Sequence, residues 1–421
     1  MNLKTIDLIN KTEESMILWL LQSGVIVEDG DPCSNGGVHA GYDTKEKQWQ
    51  FIYSEITGYN ISMFCMLYKR TGEKRYLDIA MSSASFLLRH QYSDDGNFTA
   101  GSFPEGLNYP DLSRRPRCYS FDTAICIQGL LDLYRITRDK ALLKSADRAG
   151  KWILTMQDPS GYFFSYFDPE TGSKDHPGPY FYEDAGCLHA KHAIALLKLY
   201  EVTGDQNYQV AAKKVCDWVL TLQDEDGSFW VNPTKSHVYA HAHSYATEGL
   251  LFAFELLKDP AYGDAVRRAC NWLEAQMDHS YGILGSHKFS AHFKPAEACT
   301  TRQFFQHFRR IFPRKEIAAD ATVQSARLFS YLALFGSETQ RLDKIRNILS
   351  NLFSKVLNQE EDLAAKGGLH SRLDMSLGQA RPSPIIATWG VLFALQASLL
   401  LEQRFLLGDV PSAAEQLGSL F

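Results

Sequence analysis

A tryptophan-bearing helix that recurs at a fixed interval, a second aromatic mark on the same beat, and loops that are long on one side only predict an all-α fold. The architecture they predict is an (α/α)6 toroid of six helical hairpins with long loops on one face. Trp152 in KWILTMQDPSGYF lies 66 residues before Trp218 in DWVLTLQDEDGSF, and Phe86 in SFLLRHQYSDDGNF lies 66 before Trp152. Trp272 in NWLEAQMDHSYGIL follows Trp218 by 54. Each copy closes on a glycine: Gly96, Gly161, Gly227 and Gly282. Tyr68, Tyr134 and Tyr200 are also 66 apart, each 18 residues ahead of its Phe or Trp. A period this regular means an array of like units.

Each unit reads as helix, short turn, helix. An opening helix is expected over 3–23. Helices over 51–70 and 74–91 flank the turn Thr71-Gly72-Glu73-Lys74, a length that suits an antiparallel helical hairpin. Over 119–136, DTAICIQGLLDLYRIT carries apolar residues at helical spacing for four turns. KALLKSADRAGKWILTMQ repeats that pattern over 140–157, with Ala and Ser where helices must approach closely. Helices over 183–202 and 206–223 follow around Thr203-Gly204-Asp205-Gln206, then 241–258 with 261–277, and 318–335 with 339–357. The last, 384–403, is given Ser383 as N-cap and Pro384 at its first position.

Turns after even-numbered helices are short. Connections after odd-numbered ones are long: about 26 residues from Gln91 to Cys118, 25 from Gln157 to Glu183, 17 from Gln223 to His241 and 40 from Met277 to Ala318. All long loops therefore emerge on one face. The even helices are also apolar all round, as an inner ring would be. An open solenoid of 34-residue units competes, because 66 is nearly twice 33. Loops such as DPSGYFFSYFDPETGSKDHPGPYFYEDAG argue against it, since such a solenoid turns tightly on both faces. No linker interrupts the beat, so residues 1–421 are expected to form a single domain.

The chain is 45% hydrophobic and 12% aromatic, ample for one large core. Its eight cysteines are scattered without a C-x-x-C, which reads as reduced, buried thiols in a cytoplasmic protein. The N-terminal MNLKTIDLINKTEESMILWLLQSG carries charges through its middle, unlike a signal peptide. No apolar stretch reaches the length of a transmembrane segment. A net charge of −6 argues against nucleic acid as the main partner. The charge is uneven, however. Residues 285–317 hold Lys288, Lys294, Arg302, Arg309, Arg310, Arg314 and Lys315 against Glu297 and Glu316, and LSRRPRCYS adds Arg114, Arg115 and Arg117. A basic mouth on an acidic body would concentrate an anionic ligand, so 285–317 is expected to be a lid.

The densest cluster of reactive side chains is KSHVYAHAHSYATEGLLFAF. His241, Tyr245 and Glu248 fall at i, i+4 and i+7, one stripe of a helix. His243 lies off that stripe; His237 and Tyr239 precede the helix. Carried through the repeat, Thr123, His189 and His243 are equivalent and are expected to point into one cavity. Tyr182, Glu183 and Asp184 stand at the mouth above His189 and His192. Glu55 and Tyr59 come from FIYSEITGYN, and Tyr119 and Asp122 from CYSFDTA. His241, Tyr245, Glu248, His243, His189, Glu183 and Asp184 are the catalytic candidates. Glu55, Tyr59, Tyr119, Asp122, Tyr182, His237, Tyr239, Trp230, Arg117 and Arg302 are the substrate-binding ones. Acid, base and aromatic groups together suit sugar chemistry. One carboxylic acid can protonate a glycosidic oxygen while a second carboxylate activates water or attacks. A His or Tyr can instead take the acidic proton beside a uronate carboxylate. The H-x-H pair could ligate a metal, but nothing completes a zinc set at useful spacing. Neither metal nor cofactor is expected.

The Trp-Gln-x-x-x-Gly repeats resemble the toroids of squalene and terpenoid cyclases and prenyltransferases. HSYATEGLL, with the C-terminal KGGLHSRL and ATWGVLFALQA, more closely resembles uncharacterised six-hairpin proteins of bacterial polysaccharide gene clusters. Those are akin to unsaturated glucuronyl hydrolases, polysaccharide lyases and N-acylglucosamine 2-epimerases. The resemblance spans most of the chain as architecture, and only these short motifs are specific. It implies a glycan-related role: a hydrolase or lyase on an oligo- or polysaccharide with uronate, a sugar epimerase, or a non-catalytic glycan-binding protein. The D-x-D-D of protonating cyclases, the W-C-Y-G segment of lanthionine cyclases and the zinc set of prenyltransferases are all missing.

Overall fold

The computed structural model describes residues 3–93, 96–174, 182–278, 282–283, 285–289, 316–335, 340–375 and 380–406. Among them are twelve α-helices: α1 (Leu3–Gln22), α2 (Ser54–Thr71), α3 (Lys74–His90), α4 (Ser120–Thr137), α5 (Lys140–Thr155), α6 (His192–Thr203), α7 (Gln206–Leu220), α8 (Ala240–Leu257), α9 (Pro260–Gln276), α10 (Ala319–Phe335), α11 (Gln340–Val356) and α12 (Thr388–Leu406). The even helices pack side by side in the order α2, α4, α6, α8, α10, α12 and back to α2. That closes an inner ring. α3, α5, α7, α9 and α11 pack outside their hairpin partners, and α1 packs on α11 and α12 to complete the outer layer. The molecule is an (α/α)6 toroid.

Sequence explains which helix goes inside. Every residue of α8 from Ala240 to Ala253 is buried, whereas α5 buries one stripe, Leu142, Ser145, Ala146, Ala149, Gly150, Trp152 and Ile153. A helix apolar all round needs cover on every side, and a one-sided helix needs it on one. Tyr68, Tyr134 and Tyr200 mark inner-helix ends. Their carbonyls accept the N–H of Gly72, Arg138 and Gly204, each in the left-handed conformation that stops a helix. Asp139, Asp205 and Asp259 then cap the outer helices through the N–H of Ala141, Asn207 and Ala261.

The recurring Gln and Gly have a shared task. Gln157 Nε2 donates to the carbonyls of Gly161 (3.0 Å) and Ala211 (2.9 Å). Gln223 repeats this with Gly227 (3.1 Å) and Ala265 (2.9 Å), and Gln91 with Gly101 (2.8 Å) and Ser145 (2.9 Å). Each glutamine thus ties its own loop to the next outer helix. The first unit therefore uses Gly101, not the expected Gly96, around which there is open space. The indole N–H of Trp152 donates to the Phe98 carbonyl (2.8 Å). Trp152 and Trp272 are buried, and Trp218 is only partly so.

Short strands, not anticipated from the sequence, organise the long loops: β1 (Gly41–Asp43), β2 (Gln48–Trp49), β3 (Ile52–Tyr53), β4 (Gly106–Leu107), β5 (Arg114–Arg115), β6 (Cys118–Tyr119), β7 (Tyr166–Asp168), β8 (Ser173–Lys174), β9 (His237–Tyr239), β10 (Ser286–Phe289), β11 (Glu316–Ala318), β12 (Arg372–Asp374), β13 (Arg381–Pro382) and β14 (Ile385–Ala387). β3, β6, β9, β11 and β14 each run directly into an inner helix. Each pairs antiparallel with a strand of the next loop around the ring, giving β3–β4, β6–β7, β9–β10, β11–β12 and β14–β1. The last pair closes this face as α12 and α2 close the helices. It also corrects the expected start of the twelfth helix. Ile385–Ala387 pair with Gly41–Asp43, and the Pro384 carbonyl accepts from Thr44. Sheet pairing claims the backbone after Ser383, so the helix begins at Thr388. The sixth helix likewise starts late, with a 3-10 turn over Cys187–Lys191 before α6.

Seven cysteines lie among the described residues, and all are free. No helix of the described residues is long and apolar enough to cross a membrane. Most of the basic loop 285–317, Arg302 included, lies outside the described residues.

Candidate functional site

Five inner helices present the same three positions to the axis. Counted from the helix start, these are the second, sixth and ninth residues, spaced i, i+4, i+7. They are Glu55, Tyr59 and Ser62 on α2; Phe121, Ile125 and Gln128 on α4; His241, Tyr245 and Glu248 on α8; Asp320, Gln324 and Arg327 on α10; Trp389, Phe393 and Gln396 on α12. Lys191, 66 residues after Ile125, supplies the middle position next to α6. Contacts within the layers bear this out. In the top layer the Trp389 indole N–H donates to Asp320 Oδ2 (3.1 Å). In the middle layer the Lys191 ammonium lies 5.1, 4.7 and 5.7 Å from the ring centres of Tyr59, Tyr245 and Phe393. In the bottom layer Arg327 bonds both Glu248 Oε1 and Gln396 Oε1.

The expected stripe of His241, Tyr245 and Glu248 does face the axis, but its members differ in kind. Glu248 is fully buried, with Lys191 on one carboxylate oxygen (2.5 Å) and Arg327 on the other. Burial alone would raise its carboxyl, yet the two cations outweigh that and hold it below the ordinary value. His241 sits two turns nearer the mouth, edge-on to Tyr245 at 4.5 Å. Its Nδ1 has no hydrogen-bond partner among the described residues. Burial lowers its pKa and keeps the ring neutral.

At the mouth the tyrosines just ahead of inner helices, Tyr53, Tyr119 and Tyr239, form a rim. The Tyr53 hydroxyl donates to Asp122 Oδ1 (3.3 Å) and lies beside Glu55. Asp122 Oδ2 is buried without a partner among the described residues. Burial, then the neighbouring Glu55 and Glu105, push the Asp122 carboxyl well above its ordinary range. Burial raises Glu55 to about 7, held back by Tyr53 and Lys191. Two carboxyls of different acidity thus share one hydroxyl.

The rim continues along β6 and β7. Tyr119 packs on Tyr166 (5.5 Å) and Tyr182 (6.1 Å), and Tyr182 remains exposed. Arg117 lies over Tyr166 and joins Asp168 (3.2 Å) to Glu183 (3.7 Å). Asp184 is half-buried beside Asn232, and its carboxyl is raised by burial. His237 bonds Ser236 (3.1 Å), and its backbone pairs with Phe289 in β10. Trp230 packs against the core.

Thr123, His189 and His243 do not converge on a cavity. His243 Nδ1 accepts the Phe229 N–H (3.0 Å) and Nε2 donates to the Ala269 carbonyl (3.2 Å), binding a long loop to α9. Thr57, Thr123 and Thr322, each fourth in its helix as His243 is, likewise accept from Val38, Phe103 and Ile283. His189 Nδ1 accepts from Gly186 (3.5 Å). Burial pulls His189 and His243 down to about 3. His243 and the three threonines hold loops in place, while His189 Nε2 has no hydrogen-bond partner among the described residues.

Asp320, Trp389, Lys191 and Arg327 were missed by sequence reasoning, although a signal existed. The i, i+4, i+7 stripe that singled out His241, Tyr245 and Glu248 finds the α10 and α12 residues once each helix start is known. Among the described residues no three His, Cys, Asp or Glu side chains are placed to hold a metal ion.

No protein-family model and no curated protein matches the chain. Solved structures match it in fold. A cellobiose 2-epimerase from Bacillus thermoamylovorans superposes with a TM-score of 0.72 at 14% identity, over 95% of this chain and 100% of that one. A D-mannose isomerase gives 0.67 at 12% identity, over 94% and 98%. An unsaturated glucuronyl hydrolase specific for heparin gives 0.66 at 12% identity, over 95% and 98%. All three are (α/α)6 toroid enzymes, and at these identities the fold is what is shared.

Proposed function

We propose that the chain is a carbohydrate-active enzyme of the glycoside hydrolase type, acting on an oligo- or polysaccharide at the mouth of the toroid. The observation that carries this reading is the pair Asp122 and Glu55, bridged by the Tyr53 hydroxyl. Burial and the neighbouring carboxyls favour the protonated form of Asp122, and its unpartnered Oδ2 can deliver that proton to a leaving glycosidic oxygen. Glu55 titrates at about 7 and supplies the base or nucleophile. Tyr119, Tyr166 and Tyr182 offer stacking faces for sugar rings. The names of the structural neighbours support a saccharide substrate. Preference for a uronate rests on Arg302, Arg309 and Arg310 of the basic loop.

A second reading, sugar epimerisation, is favoured by His241, a neutral imidazole with an open Nδ1 at the same mouth. Neutral and uronate-bearing disaccharides, incubated in deuterated water, separate the possibilities. Hydrolysis gives new reducing ends, elimination an unsaturated uronate, and epimerisation deuterium on the sugar carbon. Hydrolysis should rise with pH as Glu55 ionises near 7. Glu55→Gln and Asp122→Asn should each lower kcat by about a hundredfold to ten-thousandfold without lowering Tm. Binding with no turnover of any kind would leave a glycan-binding protein instead.

A further inference from the structure

One and two turns below Glu55, charge is buried out of balance among the described residues. Lys191 and Arg327 share the single carboxylate of Glu248, and all three side chains are fully buried. α8 and the 3-10 turn touch closely enough to enforce this. A Cβ on Gly249 would lie 2.1 Å from the Ala190 carbonyl oxygen, so only glycine brings Glu248 beside Lys191. The ammonium is walled in by Tyr59, Tyr245 and Phe393, and the guanidinium lies 4.3 Å from the Phe393 ring centre. Two cations and one anion leave a net +1 where dielectric screening is weak. Glu55 stands directly above, on the same stripe as Tyr59.

We propose that Lys191, Glu248 and Arg327 are positioning residues, a buried cluster of net charge +1 that favours the ionised form of Glu55 against its burial. The inference rests on the reading of Glu55 as the base of the mouth site. Asp122 from α4, which shares the Tyr53 hydroxyl, works against ionisation of Glu55, and Glu105 from the loop before β4 lies beside Tyr53 and Asp122. Tyr53 from β3 and Tyr59 from α2 are neutral, as are His241 and Tyr245 from α8. Burial and the facing Asp122 both favour the protonated form of Glu55, which is useless as a base. The cluster below supplies the opposing field. It touches no reacting atom, and it explains why the axis keeps two cations that a purely apolar plug would replace at no loss of stability.

The test changes the cluster's charge in both directions and reads Glu55 itself. Infrared titration of the carboxyl band, as the difference between parent and Glu55→Gln, reports its ionisation without any substrate. Lys191→Met takes the cluster to zero and should move the Glu55 midpoint up by about one pH unit. Glu248→Gln takes it to +2 and should move the midpoint down. Where Lys191→Met fails to fold, Arg327→Gln removes the same unit of charge and should shift the midpoint the same way. Lys191→Arg should leave it near the parent value. Opposite shifts for the two directions establish the inference. Shifts of one sign, or none, overturn it. If the midpoint shifts as expected but the pH–rate profile does not follow, the cluster governs Glu55 and the reading of Glu55 as the base fails instead.

Discussion

His243 shows how one residue type misleads at the scale of a side chain. In the sequence it belongs to a dense run of histidines and tyrosines, and it invites a catalytic reading. In the fold both ring nitrogens are spent on backbone groups of Phe229 and Ala269. His241, two residues away, keeps an open nitrogen toward the mouth. The difference is 100° per residue of helix, enough to turn one ring inward and the other out. A buried neutral histidine has a consequence for stability. His189 and His243 titrate at about 3 when folded and near 6.5 when unfolded. Below 6.5 the unfolded chain binds protons that the folded chain cannot, so stability falls as pH drops from about 6.5 toward 3. Urea midpoints at pH 7.5, 6 and 5 should decline steadily. His243→Thr adopts the residue used at the equivalent place in three other helices. It should lose some stability at pH 7.5, from the space left beside Trp272, yet show a flatter decline with acid. A parent whose midpoint is flat between pH 7.5 and 5 would refute the linkage.

At the scale of the element, the repeated Trp, Gln and Gly are a device for stacking hairpins. Gly161 and Gly227 adopt φ of +112° and +93°. A Cβ there would come within 2.5 Å of the Lys214 carbonyl oxygen and 2.4 Å of that of Arg268. The loop must press on the backbone of the next outer helix for Gln157 and Gln223 to bond both. Gly161→Ala or Gly227→Ala should therefore cost more than about 1 kcal/mol, since strain and overlap add. Trp152→Ala should cost about 3–5 kcal/mol. Chemical denaturation measures all three, and a glycine variant as stable as the parent would show that the backbones can part freely. The beat of these residues was legible in the sequence because every unit solves the same packing problem. The shift from Gly96 to Gly101 was not. Both glycines follow Gln91 at turn-like positions, and only the approach of Arg148 in the next outer helix selects the second.

For the whole molecule, closure of both rings creates an end where all the long loops meet. The entry strands couple each loop to its neighbour, so the rim is a belt of paired backbone and not a set of free loops. The basic stretch 285–317 joins that belt through β10 and β11. The expectation that it is a lid over an anionic saccharide carries a salt-dependent prediction. Replacing Arg302, Arg309 and Arg310 by Gln should raise Kd for an acidic oligosaccharide, each lost charge-assisted contact being worth about 1.5–3 kcal/mol. The effect should shrink as salt rises, because exposed charges are screened beyond about 8–10 Å near physiological ionic strength. Equal binding of acidic and neutral glycans by parent and triple variant at low salt would remove the lid from the account.

The helical hairpins, their number and the face that carries the loops were legible in the sequence. Those follow from local periodicity and from a repeat that any reader can count. It also brought Glu55, Tyr59, Asp122, His241, Tyr245 and Glu248 into view, because polar residues stand out on helices otherwise apolar all round. Their surroundings emerged only from the fold. Glu248 became a bound anion when Lys191 and Arg327, 57 and 79 residues away, closed on it. Burial and the neighbouring Glu55 pushed the Asp122 carboxyl above its ordinary range. The twelfth helix lost its first turn to a strand paired with residues over 340 positions earlier. Ionisation and strand pairing depend on what lies nearby in space, and sequence distance carries no record of that until the ring has closed.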